Sequence, residues 1–442
     1  MEDRTFLSPY SPNTEEDRSA MLRAVGVASI EELFSDIPEA YRDPWLNLPP
    51  PLSELELGRE LEARATQNVD TKRYACFLGA GAYNHFIPSV VRHLMGRGEF
   101  MTAYTPYQAE ASQGTLQVAY EFQTLVCQLF GMEVANAGMY DGATALAEAA
   151  LMACRVTGRG QVVVLDTVSP TYREVLTTYA TPQGIEVVTQ SPGRVQLTSE
   201  TACLLVQHPN FYGYLEELAP LEQVAHGQGA LLAVSTDPIA MGMFHPPGDY
   251  NADIVTAEGQ PLGIPLSFGG PYVGLFATRE KFLRQMPGRI VGRTTDAQGR
   301  TGYVLTLQTR EQHIRRERAT SNICTSQALV ALAATIYGAT MGKQGLQRIA
   351  ELCYHKAHYA ASLISRTPGY SLPLGGTFFR EFVVQCPAPP SEINRRLLER
   401  GIIGGLDIGG QVASSMLLCV TELNTRGEIE ALAQALAEFS RS

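Results

Sequence analysis

Between residues 161 and 278, short apolar β-branched runs alternate with segments of helical periodicity. No other feature constrains the fold as tightly. Candidate strands lie at 162–165, 185–189, 203–207, 231–234, 253–256 and 272–278, with helices at 142–156, 171–179 and 215–226. Strands covered by helices on both faces lose their polar alternation and read as continuous apolar runs. The pattern predicts an α/β domain built on a mostly parallel, doubly wound sheet. Ligands of such sheets bind at the carboxyl ends of the strands. His208-Pro209-Asn210, Ser235-Thr236-Asp237 and Glu258-Gly259-Gln260 fall there.

The flanks read differently. Residues 1–75 form a helical arm. Ser29 with Glu32 reads as a capping box opening a short helix at 30–34, Pro44 and Pro49-Pro50-Pro51 impose extended chain, and 52–67 is a second amphipathic helix. Residues 76–335 form the large α/β domain and 336–442 a small α+β domain. Two long apolar helices are expected at 322–341 and 346–366. Strand 381–385, helix 391–400 stopped by Gly401, strand 416–421 and a final helix capped by Thr425 with Glu428 follow.

Composition narrows the function. The net charge of −11 over 442 residues, with basic residues clustered only near Arg310–Arg318, argues against nucleic acid or an anionic membrane as the partner. No apolar run reaches the ~18 residues that span a bilayer. The start, Met1-Glu2-Asp3-Arg4, lacks the signature of a secretory leader, so the expectation is a cytoplasmic protein. The eight cysteines contain no Cys-x-x-Cys pair and sit mostly in apolar runs, as buried thiols do. Histidine spacing fits no zinc site. His355 and His358 lack a third ligand nearby, and no metal is expected.

Five segments are candidates for chemistry. Residues 136–144, NAGMYDGAT, lead into an Ala-rich helix; this reads either as a phosphate-binding helix N-terminus or as close packing of small residues. Residues 77–86, FLGAGAYNHF, and 102–110, TAYTPYQAE, are dense in Tyr, His, Thr and Gln, and read as a binding surface or as ordinary surface loops. In residues 302–325, Arg310, Arg315, Arg316 and Arg318 (with Arg300 just before) are mixed with Glu311 and Glu317; they form either a solvated face or an anion-binding one, with Thr320-Ser321-Asn322 as hydroxyl-rich donors. Residues 252–274, ADIVTAEGQPLGIPLSFGGPYVG, join two strands through a Gly/Pro-rich turn and contain no lysine; the chain's lysines are Lys72, Lys281, Lys343 and Lys356.

Together with LLCVTEL at 417–423, these motifs closely resemble the glycine cleavage system P-protein family, glycine decarboxylase, in the form whose N-terminal half is a separate subunit. The resemblance runs in order over nearly the whole chain. It implies the aminotransferase-like fold of pyridoxal phosphate (PLP) enzymes, fold type I. It also implies a complex that decarboxylates glycine and passes the aminomethyl group to the lipoyl arm of H-protein.

By that resemblance Gln260 stands where the Schiff-base lysine would be, and the cofactor is bound covalently by a lysine-bearing partner subunit. Asp237 is placed like the residue that meets the pyridine nitrogen in active relatives. Tyr83, His85, Tyr107 and Gln108 are candidates for lining the partner's site or the H-protein channel. Thr320, Ser321 and Asn322 are candidates for reaching the partner's PLP phosphate. The competing reading is a scaffold that only stabilises its partner. A self-sufficient PLP enzyme is disfavoured by the missing lysine.

Overall fold

A computed structural model describes residues 13–42, 44–324 and 326–439. Met1–Arg4, read above for a leader, and Thr325 of the basic segment lie outside them. The chain divides into two units, Met1–Val69 and Asp70–Ser442.

In the first unit, helices α1 (Glu15–Val25) and α2 (Glu54–Ala65) both open on reciprocal capping boxes, Thr14 with Asp17 and Ser53 with Glu56. These bonds satisfy orphan N–H groups of the first turn. The helix expected at 30–34 is instead a 3-10 turn, Glu31–Phe34. Its proposed box does not form: Glu32 accepts from the Ala28 N–H, and Ile30 stands at the cap without a side-chain bond. A four-residue segment is too short to repay α-helix nucleation. No described residue of this unit is buried.

The second unit is built on a seven-stranded sheet. Its strands are β1 (Val134–Ala135), β2 (Gln161–Leu165), β3 (Glu186–Gln190), β4 (Thr201–His208), β5 (Leu231–Thr236), β6 (Ile254–Glu258) and β7 (Gly274–Thr278). The order is β1-β7-β6-β5-β4-β2-β3. Strands β2 to β6 form the parallel part, and β7 runs antiparallel to β6 and to β1. The mostly parallel sheet matches the pattern of the sequence.

Helix α3 (Gln113–Phe130), which the sequence reading passed over, buries Leu116, Phe122, Val126 and Phe130 and ends on Gly131 in the left-handed region. Helices α4 (Gly142–Thr157), α5 (Pro170–Ala180) and α6 (Leu218–Gly227) follow the expected segments. Helix α4 buries Ala145 through Ala153 without a break, which small side chains permit at close range to a sheet. An antiparallel hairpin, β8 (Ile290–Thr295) and β9 (Thr301–Thr306), was also missed.

The two helices expected at 322–341 and 346–366 are one element, α7 (Ala328–Ile364), broken at Gly342 by non-helical dihedrals. Beyond the break, Leu346 to Cys353 still pack in the main cluster, and from Ala357 the helix packs in a separate apolar cluster with the three-stranded sheet of β10 (Glu381–Gln385), β11 (Leu406–Asp407) and β12 (Ser415–Cys419). Helices α8 (Pro390–Leu398) and α9 (Arg426–Phe439) cover that sheet. Thr425 and Glu428 cap α9 as the sequence implied. No described helix is long and apolar enough to cross a membrane.

Candidate functional site

The carboxyl ends of β4, β5 and β6 open into a polar pocket lined by Ser169, Asn210, Asp237 and Glu258, and closed by Tyr83 and Arg380. Asp237 follows β5 directly. One of its oxygens accepts from the Ile239 N–H at 2.8 Å, and the other forms an ion pair with Arg380. Arg380 precedes β10 and is among the most buried side chains of the chain. Its guanidinium lies over the Tyr83 ring, 3.5 Å from the centroid, and also meets His85 Nε2. Burial works against its charge, but the Asp237 carboxylate, Tyr83 and the neighbouring Cys419 and Cys353 together outweigh burial and raise its pKa.

The network continues on both sides. His85 Nδ1 lies 2.6 Å from a Glu422 oxygen, and the other Glu422 oxygen accepts from the Phe86 N–H at 2.7 Å. Burial would raise the Glu422 carboxyl, but these partners hold it down at about 2. Glu381 accepts from the Tyr83 hydroxyl at 2.8 Å and the Ala80 N–H at 2.6 Å. Here burial prevails and pushes its carboxyl up to about 6. His85, Cys353 and Glu422 also stand close enough together to suggest a metal site. The Arg380 guanidinium against His85 opposes a cation there, so we read the group as a polar network that joins loop 77–86 to β10 and the turn after β12.

Gln260, two residues beyond β6, is 1% exposed. Its amide oxygen accepts from the Tyr83 N–H at 2.8 Å, and its amide nitrogen donates to the carbonyls of Tyr83 at 2.9 Å and Ile264 at 2.7 Å. Both amide donors and the amide oxygen are therefore bonded to backbone. Glu258 reaches back to the start of α4. Its two oxygens accept from the N–H groups of Gly142 and Gln260, each at 2.9 Å. A Cβ on Gly142 would lie 2.4 Å from the Tyr172 hydroxyl and 2.9 Å from Glu258 Cβ, so only glycine admits this approach.

The remaining candidates divide between interior and surface. Tyr83 and His85 are turned inward, with their polar atoms engaged in this chain's own network. Tyr107 is 54% exposed, with the buried Arg289 over its ring and His313 at its edge. Gln108 is exposed beside it. Ser321 donates to the buried Glu148 of α4 at 2.7 Å. Thr320 is half-buried, its N–H bonded to the Arg310 carbonyl, and Asn322 is exposed. The sequence reading missed Arg380, Glu381 and Glu422. The only trace they leave is a charged pair at the head of strand 381–385 and a lone acid after an apolar run.

These residues do not fit covalently bound PLP in this chain. The aldehyde would meet an amide, which cannot form a Schiff base, the ring nitrogen's acid is already paired with Arg380, and a carboxylate takes the helix N-terminus suited to phosphate. None of the chain's lysines lines the pocket. Lys356, for one, donates to the carbonyls of Glu422 and Asn424.

Comparison with known proteins agrees with the architecture. The profile of the family described as "Glycine cleavage system P-protein" matches residues 8–436. A relative from Thermomicrobium roseum, named probable glycine dehydrogenase (decarboxylating) subunit 1, is 55% identical over 97% of this chain and 99% of its own length. One of the same name from Desulforamulus reducens is 52% identical over 98% and 100%. A crystal structure of glycine decarboxylase (P-protein) in inhibitor-bound form is 44% identical, covers 98% of this chain and 100% of its own, and superposes with a TM-score of 0.93. A glutamate decarboxylase from Lactobacillus brevis, 14% identical with a TM-score of 0.65 over 93% of this chain and 98% of its own, shares the fold. A mostly parallel sheet of PLP fold type I, a near-complete match to one profile and full-length relatives at this identity together mean that the chain belongs to the glycine cleavage system P-protein family.

Proposed function

We propose that this chain is the lysine-free subunit of a two-subunit glycine decarboxylase, and that it completes an active site whose covalent chemistry resides in its partner. The observation that carries the reading is Gln260: it stands just beyond the strand where such a site needs an amine, and both its amide donors and its oxygen are bonded to backbone. The relatives' name, subunit 1, supports a second, lysine-bearing subunit. Held by that subunit, PLP would supply the electron sink for loss of carbon dioxide from glycine. The lipoyl disulfide of H-protein would then take up the aminomethyl group.

The chain's own part is positional. Tyr107 and Gln108 stand exposed and are free to enter the partner's site or the H-protein channel. Tyr83 and His85 act through the loop they pin to Arg380, Glu381 and Glu422. Thr320 and Asn322 reach the partner's phosphate, while Ser321 braces the segment on Glu148. The arrangement serves a catalytic interface rather than a scaffold alone.

The test is glycine–bicarbonate exchange after reconstitution. The isolated chain shows no exchange. Tyr107→Ala and Thr320→Ala, each with assembly unchanged, lower the rate by about tenfold or more, the scale of lost positioning. Wild-type rates in both variants would favour the scaffold. Visible cofactor absorbance from the isolated wild-type chain with PLP would refute the reading of Gln260.

A further inference from the structure

The start of α4 was singled out in the sequence as a place for a phosphate, and the proposed function leaves it unused. In the structure it is taken. The N–H groups of Gly142 and Gln260, from two different elements, converge on the two oxygens of one side chain, Glu258, at 2.9 Å each. Asp141 caps the same helix through the Thr144 N–H at 2.8 Å. The Tyr172 hydroxyl stands at Gly142, close enough to exclude any side chain there. Convergent backbone donors at a helix N-terminus are how proteins hold oxyanions.

A second observation points the same way. Arg380, which lines the same pocket, is fully buried, and its Nε has no hydrogen-bond partner. Beyond its ion pair with Asp237, this buried guanidinium therefore keeps a donor for a further anion. The pocket thus pairs oxyanion donors at one wall with a cation at another, while a carboxylate of the chain itself fills the donor site.

We propose that Glu258 is the built-in occupant of an oxyanion site formed by Gly142, Gln260 and the start of α4, and that it keeps the pocket closed to phosphate. The ligand class of the emptied site is a tetrahedral oxyanion such as inorganic phosphate or sulfate. Three side chains then divide the task of closure. Gln260 occupies the amine position, the Arg380–Asp237 pair blocks the ring-nitrogen position, and Glu258 fills the anion position. The inference concerns this chain alone and stands independently of how the partner performs its reaction.

The experiment titrates the full chain with inorganic phosphate by calorimetry, comparing wild type, Glu258→Ala and Glu258→Gln. Glu258→Ala is expected to bind phosphate at least about tenfold more tightly than wild type, with sulfate competing. Glu258→Gln, which keeps the bulk and an oxygen for the Gly142 N–H, is expected to behave as wild type. Equal affinity of Glu258→Ala and wild type overturns the proposal, as does equal affinity of the two variants. Should Glu258→Ala fail to fold, Glu258→Ser is titrated in its place. Tighter phosphate binding than wild type supports the proposal; equal affinity overturns it.

Discussion

Glu258 shows how one residue couples position to pH. Burial pushes its carboxyl up to about 7, against the Gly142 and Gln260 N–H bonds that favour the ionised form, and the neighbouring Asp141 carboxylate adds to the rise. Tyr172 and Tyr272 face it as neutral phenols, both raised by burial. A carboxyl raised on folding contributes stability below its unfolded value of about 4.3, and that contribution is lost as pH rises through the folded value. Glu258→Gln is therefore expected to gain on wild type between about pH 4.5 and 7, by up to about 3 kcal/mol, and no further above that. Urea unfolding across that range measures it. Gln260→Lys is expected to give neither a decarboxylase nor cofactor absorbance with PLP. The ammonium cannot accept from the Tyr83 N–H and would be buried without a partner. Arg380→Met leaves Asp237 and Glu381 without their buried cation, a loss of about 3–5 kcal/mol read by the same denaturation.

At the scale of elements, the site depends on close approaches that small residues allow. Gly213 has φ +91°, and a Cβ there would lie 2.0 Å from the Glu381 carbonyl oxygen at the head of β10. Gly213→Ala is expected to cost at least about 1–2 kcal/mol for the backbone alone, and more for the clash, visible as a lower melting temperature. The same crowding brings Phe379 N–H onto the Gly213 carbonyl and carries Arg380 and Glu381 to the mouth of the main sheet. Strands β2 and β4 to β7, with helices α4 to α6, were legible because burial on both faces leaves continuous apolar runs between helices; the edge strand β3 is not buried and showed through its β-branched residues. Helix α3 was passed over although its apolar positions recur on one face, because glycine-rich motifs on either side drew the reading to loops. The hairpin β8–β9 has only two buried residues, Ile290 and Val291, and no strict alternation to announce it. Local polarity misplaced the boundary of α7: 322–327 looked helical, yet Ser321 and its neighbours are drawn to Glu148 and to the Tyr140 hydroxyl.

At the scale of the molecule, the two apolar clusters consist of residues from 75 onwards, while no described residue before 70 is buried. A chain beginning at Asp70 is expected to unfold cooperatively with a melting temperature within about 3 °C of the full chain, as measured by calorimetry. The order of strands and helices, the lysine-free turn after β6 and the family resemblance were all readable along the chain. Each is a local property: periodicity, residue type, or a motif of consecutive residues. The meaning of the pocket was not. Arg380 is 143 positions from Asp237, Tyr83 is 177 from Gln260, and Gly142 is 116 from Glu258. No local pattern encodes such pairs. Folding brings them together because the strand ends converge at one edge of the sheet, and in a water-poor site each charge and amide must find a partner. The chain order alone made loop 77–86 look like an outward surface. Packing turned Tyr83 and His85 inward, and left Tyr107 and Gln108 exposed.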